Sequence, residues 1–93
     1  RFRAEAYAIR PPERTAHVSL RFTLAEPASS QDCMQARQAA ILCPYRFYGS
    51  DVAVQIQGER QDVLEIDFEA PSESFAAMAR QFMRRALEAR LRA

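Results

Sequence analysis

Residues 62–85, DVLEIDFEAPSESFAAMARQFMRR, decide the fold because they read as strand, stop and helix. From Val63 to Phe68 the chain alternates with period two, which puts Leu64, Ile66 and Phe68 on one face. Pro71 has no N–H to give a strand ladder and so ends the pairing. Ser72 is placed to cap a helix, and Glu73 favours the positive end of its dipole. The helix is predicted to run over residues 72–91, with a broad apolar stripe of Phe75, Met78, Ala79, Phe82, Met83, Ala86 and Leu87.

A shorter copy of this pattern precedes it. Leu20, Phe22 and Leu24 alternate, Pro27 interrupts, and Ser29 opens a helical run. Ser29 with Asp32 has the spacing of a capping box, and the helix is expected over 30–42, ended by Pro44. Its stripe is narrow: Met34, Ile41 and Leu42 beside Cys33, Ala36 and Ala40. Three further strands complete the expectation. Residues 1–9 alternate loosely, and Pro11-Pro12 turns the chain. Residues 14–24 carry Ala16, Val18, Leu20, Phe22 and Leu24 inward. Residues 51–57 carry Val52, Val54 and Ile56 inward, and Gly58-Glu59-Arg60 turns into the strand at 62–69.

The predicted order is therefore ββαββα, which differs from the βαββαβ plait. It implies an α+β two-layer sandwich: one four-stranded antiparallel sheet with both helices on one face. The heaviest inward residues lie on 14–24 and 62–69, so these strands are placed at the centre. That gives the strand order 1-2-4-3, with 2-1-3-4 as the rival. The echo between the two halves also admits a duplicated ββα unit.

Residues 1–93 read as a single domain, large enough for a two-layer core without staples. No apolar run approaches a membrane span. Arg1 implies a processed chain or a piece of a longer one, and no targeting segment is visible. The net charge of +1 is too small to argue for a nucleic-acid partner, although all thirteen basic residues are Arg. An Arg- and Ala-rich, Lys-free chain is the ordinary product of a GC-rich bacterial genome. Guanidinium selection for phosphate or carboxylate is the sharper alternative. Cys33 and Cys43 would stand about 15 Å apart along a helix, too far for a disulfide. Free thiols suit the cytoplasm.

No catalytic motif, phosphate loop or zinc spacing is present, so neither a cofactor nor a metal is expected. Two constellations carry whatever chemistry there is. His17 falls on the polar face of one strand, and Glu65 and Asp67 on that of another. If the strands are neighbours, a His–carboxylate pair forms, which is a minimal acid–base unit or an ordinary cross-strand charge pair. In the loop CPYRFYGS, Tyr45, Phe47 and Tyr48 interleave with Arg46. That arrangement suits a cover over the core, a partner contact, or base stacking with phosphate binding. The leading expectation is a non-enzymatic assembly or interaction module that associates with itself as a homodimer. The surface expected for the dimer is the polar sheet face, or the edge of strand 51–57. An Arg-mediated nucleic-acid or anion binder, and a small enzyme using His17, are the alternatives.

Overall fold

The computed structural model describes residues 14–88 and residue 91. Its elements are β1 (Ala16–Thr23), α1 (Ser30–Ile41), β2 (Ala53–Gln57), β3 (Val63–Ala70) and α2 (Glu73–Glu88). The strands form one antiparallel sheet in the order β1-β3-β2. The order βαββα and three strands thus replace the expected ββαββα and four. The expected strand at 1–9 lies outside the described residues. It rested on alternation alone, in a segment rich in the weak strand formers Ala and Glu. The ββα duplication falls with it, because the first described unit is a strand and a helix only.

Of the two strands expected at the centre, 62–69 (β3) is central, whereas 14–24 (β1) lies at an edge of the described three-stranded sheet. Strand β3, apolar at every second position, is central; Ala16 pairs with Ala70 through to Thr23 with Val63. On its other side Ala53 pairs with Asp67 through to Gln57 with Val63. Because β1 and β2 both run antiparallel to β3, they are parallel to each other with β3 between them, and α1 makes the crossover. These are the first five elements of the split β-α-β plait, which the sequence reading had set aside.

Both helices cover one face of the sheet. Helix α2 packs on β1 and β3, α1 packs on β2 and β3, and the helices touch each other. Below them Val18, Leu20, Leu64, Ile66 and Phe68 are buried together with Met83 and Leu87. The buried residues of helix α1 are Ala36, Ala39 and Ala40, whose small side chains let it lie close to the sheet, with half-buried Cys33 packed beside them. Its Met34, Ile41 and Leu42 stay exposed, contrary to the predicted stripe. Ile56 points to the helix side but remains 40% exposed, since β2 is an edge strand at the margin of the helix layer.

The helix starts were legible in the sequence. The Ser29 side chain accepts from the Asp32 N–H while Asp32 accepts from the Ser29 N–H, a complete capping box. Ser72 Oγ accepts from the Phe75 N–H and caps α2 in the same way. The β2–β3 hairpin turns at Gly58 (φ +90°), where an added Cβ would meet Asp62 Oδ1 at 3.2 Å. Its far side ties down the link from β1 to α1: Leu24 N–H donates to Asp62 O and Ala28 N–H to Gln61 O, each at 2.7 Å.

Candidate functional site

The sheet face away from the helices is polar and carries the predicted His17 constellation. On β3, Glu65, Asp67 and Glu69 project to this side because Leu64, Ile66, Phe68 and Ala70 take the other. The β1:β3 register sets His17 directly opposite Glu69, with Asp67 two pairs along on the same face, opposite Ser19. The imidazole bridges the two: Nδ1 lies 2.6 Å from Glu69 Oε2 and Nε2 lies 2.8 Å from Asp67 Oδ1. Thr15 donates its hydroxyl to the other Glu69 oxygen at 2.6 Å. The bond to Glu69, then that to Asp67, raises the His17 pKa above its ordinary value. The Thr15 and His17 bonds lower that of Glu69. The favoured state is an imidazolium giving one N–H to each carboxylate.

Of the two carboxylates weighed with His17, Asp67 is in contact and Glu65 is not. Glu65 sits opposite Arg21, whose Nε donates to it at 2.8 Å. Gln57 on β2 joins them, accepting from Arg21 at 3.0 Å and donating to Glu65 at 3.1 Å, so one network spans all three strands. Glu69 was the residue the sequence reading missed. It continues the 65, 67, 69 alternation, but only the strand register shows that it, rather than Glu65, faces His17.

The chemistry of this cluster is limited by its own satisfaction. A general base needs a ring nitrogen open to a substrate proton, and here both nitrogens are committed to anions. The two carboxylates also stabilise the protonated ring, which opposes its acting as a base. Among the described residues no hydroxyl or thiol is hydrogen-bonded to the ring, so none of them is an activated nucleophile beside it. A shallow depression lies beside it, walled by Thr15, Phe47, Ser50 and Asp51. Among the described residues no group of three or more His, Cys, Asp or Glu is arranged to hold a metal ion.

The aromatic loop is divided between the two layers. Tyr45 turns to the helices, its ring centroid 6.3 Å from that of Phe75 and 6.5 Å from that of Phe82. Phe47 turns to the sheet side, where its N–H donates to Glu69 O at 2.7 Å. Ser50 Oγ reaches the same residue's backbone, so the loop takes up the groups of β3 that lie beyond the end of β2. Tyr48 points to solvent and is 91% exposed, with the Arg46 guanidinium 5.8 Å from its ring centre. Arg46 itself donates to Ser50 O at 2.9 Å and, at a longer 3.5 Å, to Ile41 O. It braces the loop onto the end of α1. Tyr45 and Phe47 thus face opposite layers, and Tyr48 is the ring of the three that stands out in solvent.

The helix layer presents an apolar surface that the sequence reading had assigned to the core. Phe75 and Met78 are 44% and 43% exposed, and Phe82 is half-buried. Of the predicted stripe, Ala79, Met83 and Leu87 are buried, joined by Ala76, so the buried side of α2 is centred about a quarter-turn further round than Phe75, Met78 and Phe82. Between Tyr45 and α2 lies a groove of about 400 Å³, lined by Tyr45, Met78, Gln81, Phe82, Arg85 and Ala86.

Compared with known proteins, the chain matches no family model, no curated protein and no solved structure. No helix among the described residues is long and apolar enough to cross a membrane.

Proposed function

We propose that this chain is a non-enzymatic interaction module that associates with itself. The observation that carries the reading is the exposure of Phe75 and Met78 beside Tyr45 and Phe82, on a helix whose neighbouring stripe already fills the core. Contiguous apolar surface of this kind, framed by polar residues, is characteristic of protein contacts. Both His17 nitrogens are occupied, which weighs against the enzyme alternative. The anion-binding alternative is disfavoured on the open sheet face, where Glu65, Asp67 and Glu69 outnumber Arg21 and His17 and would repel phosphate. That face also has its charges paired within the sheet, so it offers a partner less than the composition suggested. Light scattering of the purified chain at high micromolar concentration should give about twice its 10.6 kDa mass. A mass that stays at one chain would sink the reading.

A further inference from the structure

The apolar arc of α2 is wider than its contact with the sheet. Ala76, Ala79, Met83 and Leu87 are buried, while Phe75, Met78, Phe82 and Ala86 beside them are exposed or half-buried. At 100° per residue the two stripes together span about 180°. One core contact uses an apolar stripe on the order of 100° wide. Tyr45 covers part of the excess, against Phe75 and Phe82, and leaves Met78 and the groove open.

We propose that a second copy of this chain docks there, α2 against α2 in antiparallel orientation, about a twofold axis near position 80. This rests on the self-association reading above and names its surface. The stripe is complementary to itself. Phe75 and Met78 are exposed in its N-terminal half, and the groove runs from Met78 along its C-terminal half to Arg85 and Ala86. The pairs 75 with 85 and 78 with 82 share one midpoint, position 80. One twofold rotation therefore brings Met78 of each copy to Phe82 of the other, at the mouth of the groove. It also brings Arg85 of each copy to Phe75 of the other. Among the described residues Arg85 is the one charged side chain lining the groove, and no carboxylate lines it. The rotation carries that charge onto an aromatic face, a favourable cation–π contact, and away from its own duplicate. An isologous contact needs such a pattern, because each patch must be its own complement. A parallel pairing would instead set Arg85 against Arg85.

The test compares the hydrodynamic mass of the whole chain and its variants. Wild type should be dimeric at high micromolar concentration. Met78→Asp, which buries a charge at the centre of the contact, should raise the dimer dissociation constant at least about tenfold. Its circular dichroism should stay unchanged, since Met78 is not a core residue. Arg85→Ala should weaken the dimer by a smaller factor. Ser19→Arg, on the opposite sheet face, should leave it intact. In a background lacking the native thiols, Met78→Cys with Phe82→Cys should give a dimer-mass band on oxidation, and Met78→Cys alone should not. A dimer that survives Met78→Asp overturns this interface and leaves self-association standing. A band from Met78→Cys alone overturns the antiparallel register. A monomeric wild type overturns both the interface and the reading beneath it, and so does a monomer that binds an acidic amphipathic helix in this groove.

Discussion

Met83 tests the assignment of the core most directly. It is fully buried on the stripe of α2 that faces the sheet, whereas Phe75, at the helix start, is 44% exposed. Met83→Ala removes two carbons and a sulfur. At about 0.8 kcal/mol per CH₂-sized group, the lost transfer free energy is about 2 kcal/mol. A residual void of about 40 Å³ would add about 1 kcal/mol at the usual cost of cavity volume. The total, about 3 kcal/mol, is a large share of the roughly 5–15 kcal/mol that holds a domain of this size together. Phe75→Ala should cost the isolated chain only about 1 kcal/mol, because half of the ring is already in water. Urea unfolding followed by far-ultraviolet circular dichroism, at several protein concentrations, separates the two. Met83→Ala should lower the midpoint by a similar energy at every concentration. Phe75→Ala should also weaken the dependence of the midpoint on concentration, because it trims the proposed contact. A loss below 1 kcal/mol for Met83→Ala, with a larger loss for Phe75→Ala at low concentration, would mean that α2 docks by the other stripe.

Four further outcomes are expected. His17 has a raised pKa, so its contribution is complete below its ordinary value of 6.5 and fades as pH rises through the higher folded value. Glu69 has a lowered pKa, so its contribution is complete above 4.5 and fades as pH falls through the lower folded value. The stability difference between wild type and His17→Ala should therefore peak between about pH 4.5 and 6.5 and shrink on both sides. The His17 side chain is 55% exposed, so the peak should be on the order of 0.2–1 kcal/mol; a difference that grows toward alkaline pH would refute the bridged imidazolium. Cys33 is half-buried and Cys43 is buried, and desolvation raises the Cys43 pKa, so a thiol reagent should label Cys33 first in the native chain. Denatured, non-reduced protein should titrate as two free thiols, and a peptide linking the two cysteines would contradict the structure. Gly58→Ala should cost about 1–2 kcal/mol in urea unfolding, since φ is +90° there and the new Cβ would crowd Asp62; a neutral effect would show that the hairpin turns differently.

The parts of the fold that the sequence made legible are those set by local physics. The alternation in 63–70 places Leu64, Ile66, Phe68 and Ala70 in the core without reference to any other element. The caps at Ser29 and Ser72 are equally local, each being a side chain satisfying a backbone N–H three residues on. What was not legible depends on register and rotation. Which carboxylate meets His17 is decided by the pairing of β1 with β3, and the sequence offers Glu65, Asp67 and Glu69 at equal spacing. The position of α2 about its own axis is decided by what the sheet and Tyr45 leave room for. With an apolar arc of about 180°, the sequence cannot say which half turns inward. That is why Phe82 reads as mid-stripe in the sequence and lies at the margin of the core in the structure.

The same ambiguity bears on function. An arc narrow enough to be filled by the sheet would have fixed the rotation of α2 and left nothing to explain on its outer side. Here the inward half is made of Ala76, Ala79, Met83 and Leu87, and two of these four are the smallest apolar side chain. They allow a close helix–sheet approach, which a stripe carrying Phe75 and Phe82 would prevent. The aromatic half is thus turned outward by packing, against the simple gain from burying rings. Tyr45 partly shields it. The sheet face presents the opposite balance. Its charges are bonded across strands, so a docking partner would have to break His17–Glu69 or Arg21–Glu65 before making anything new. The free energy available for association therefore lies on the helix side, in side chains that gain from burial and have no polar bond to lose.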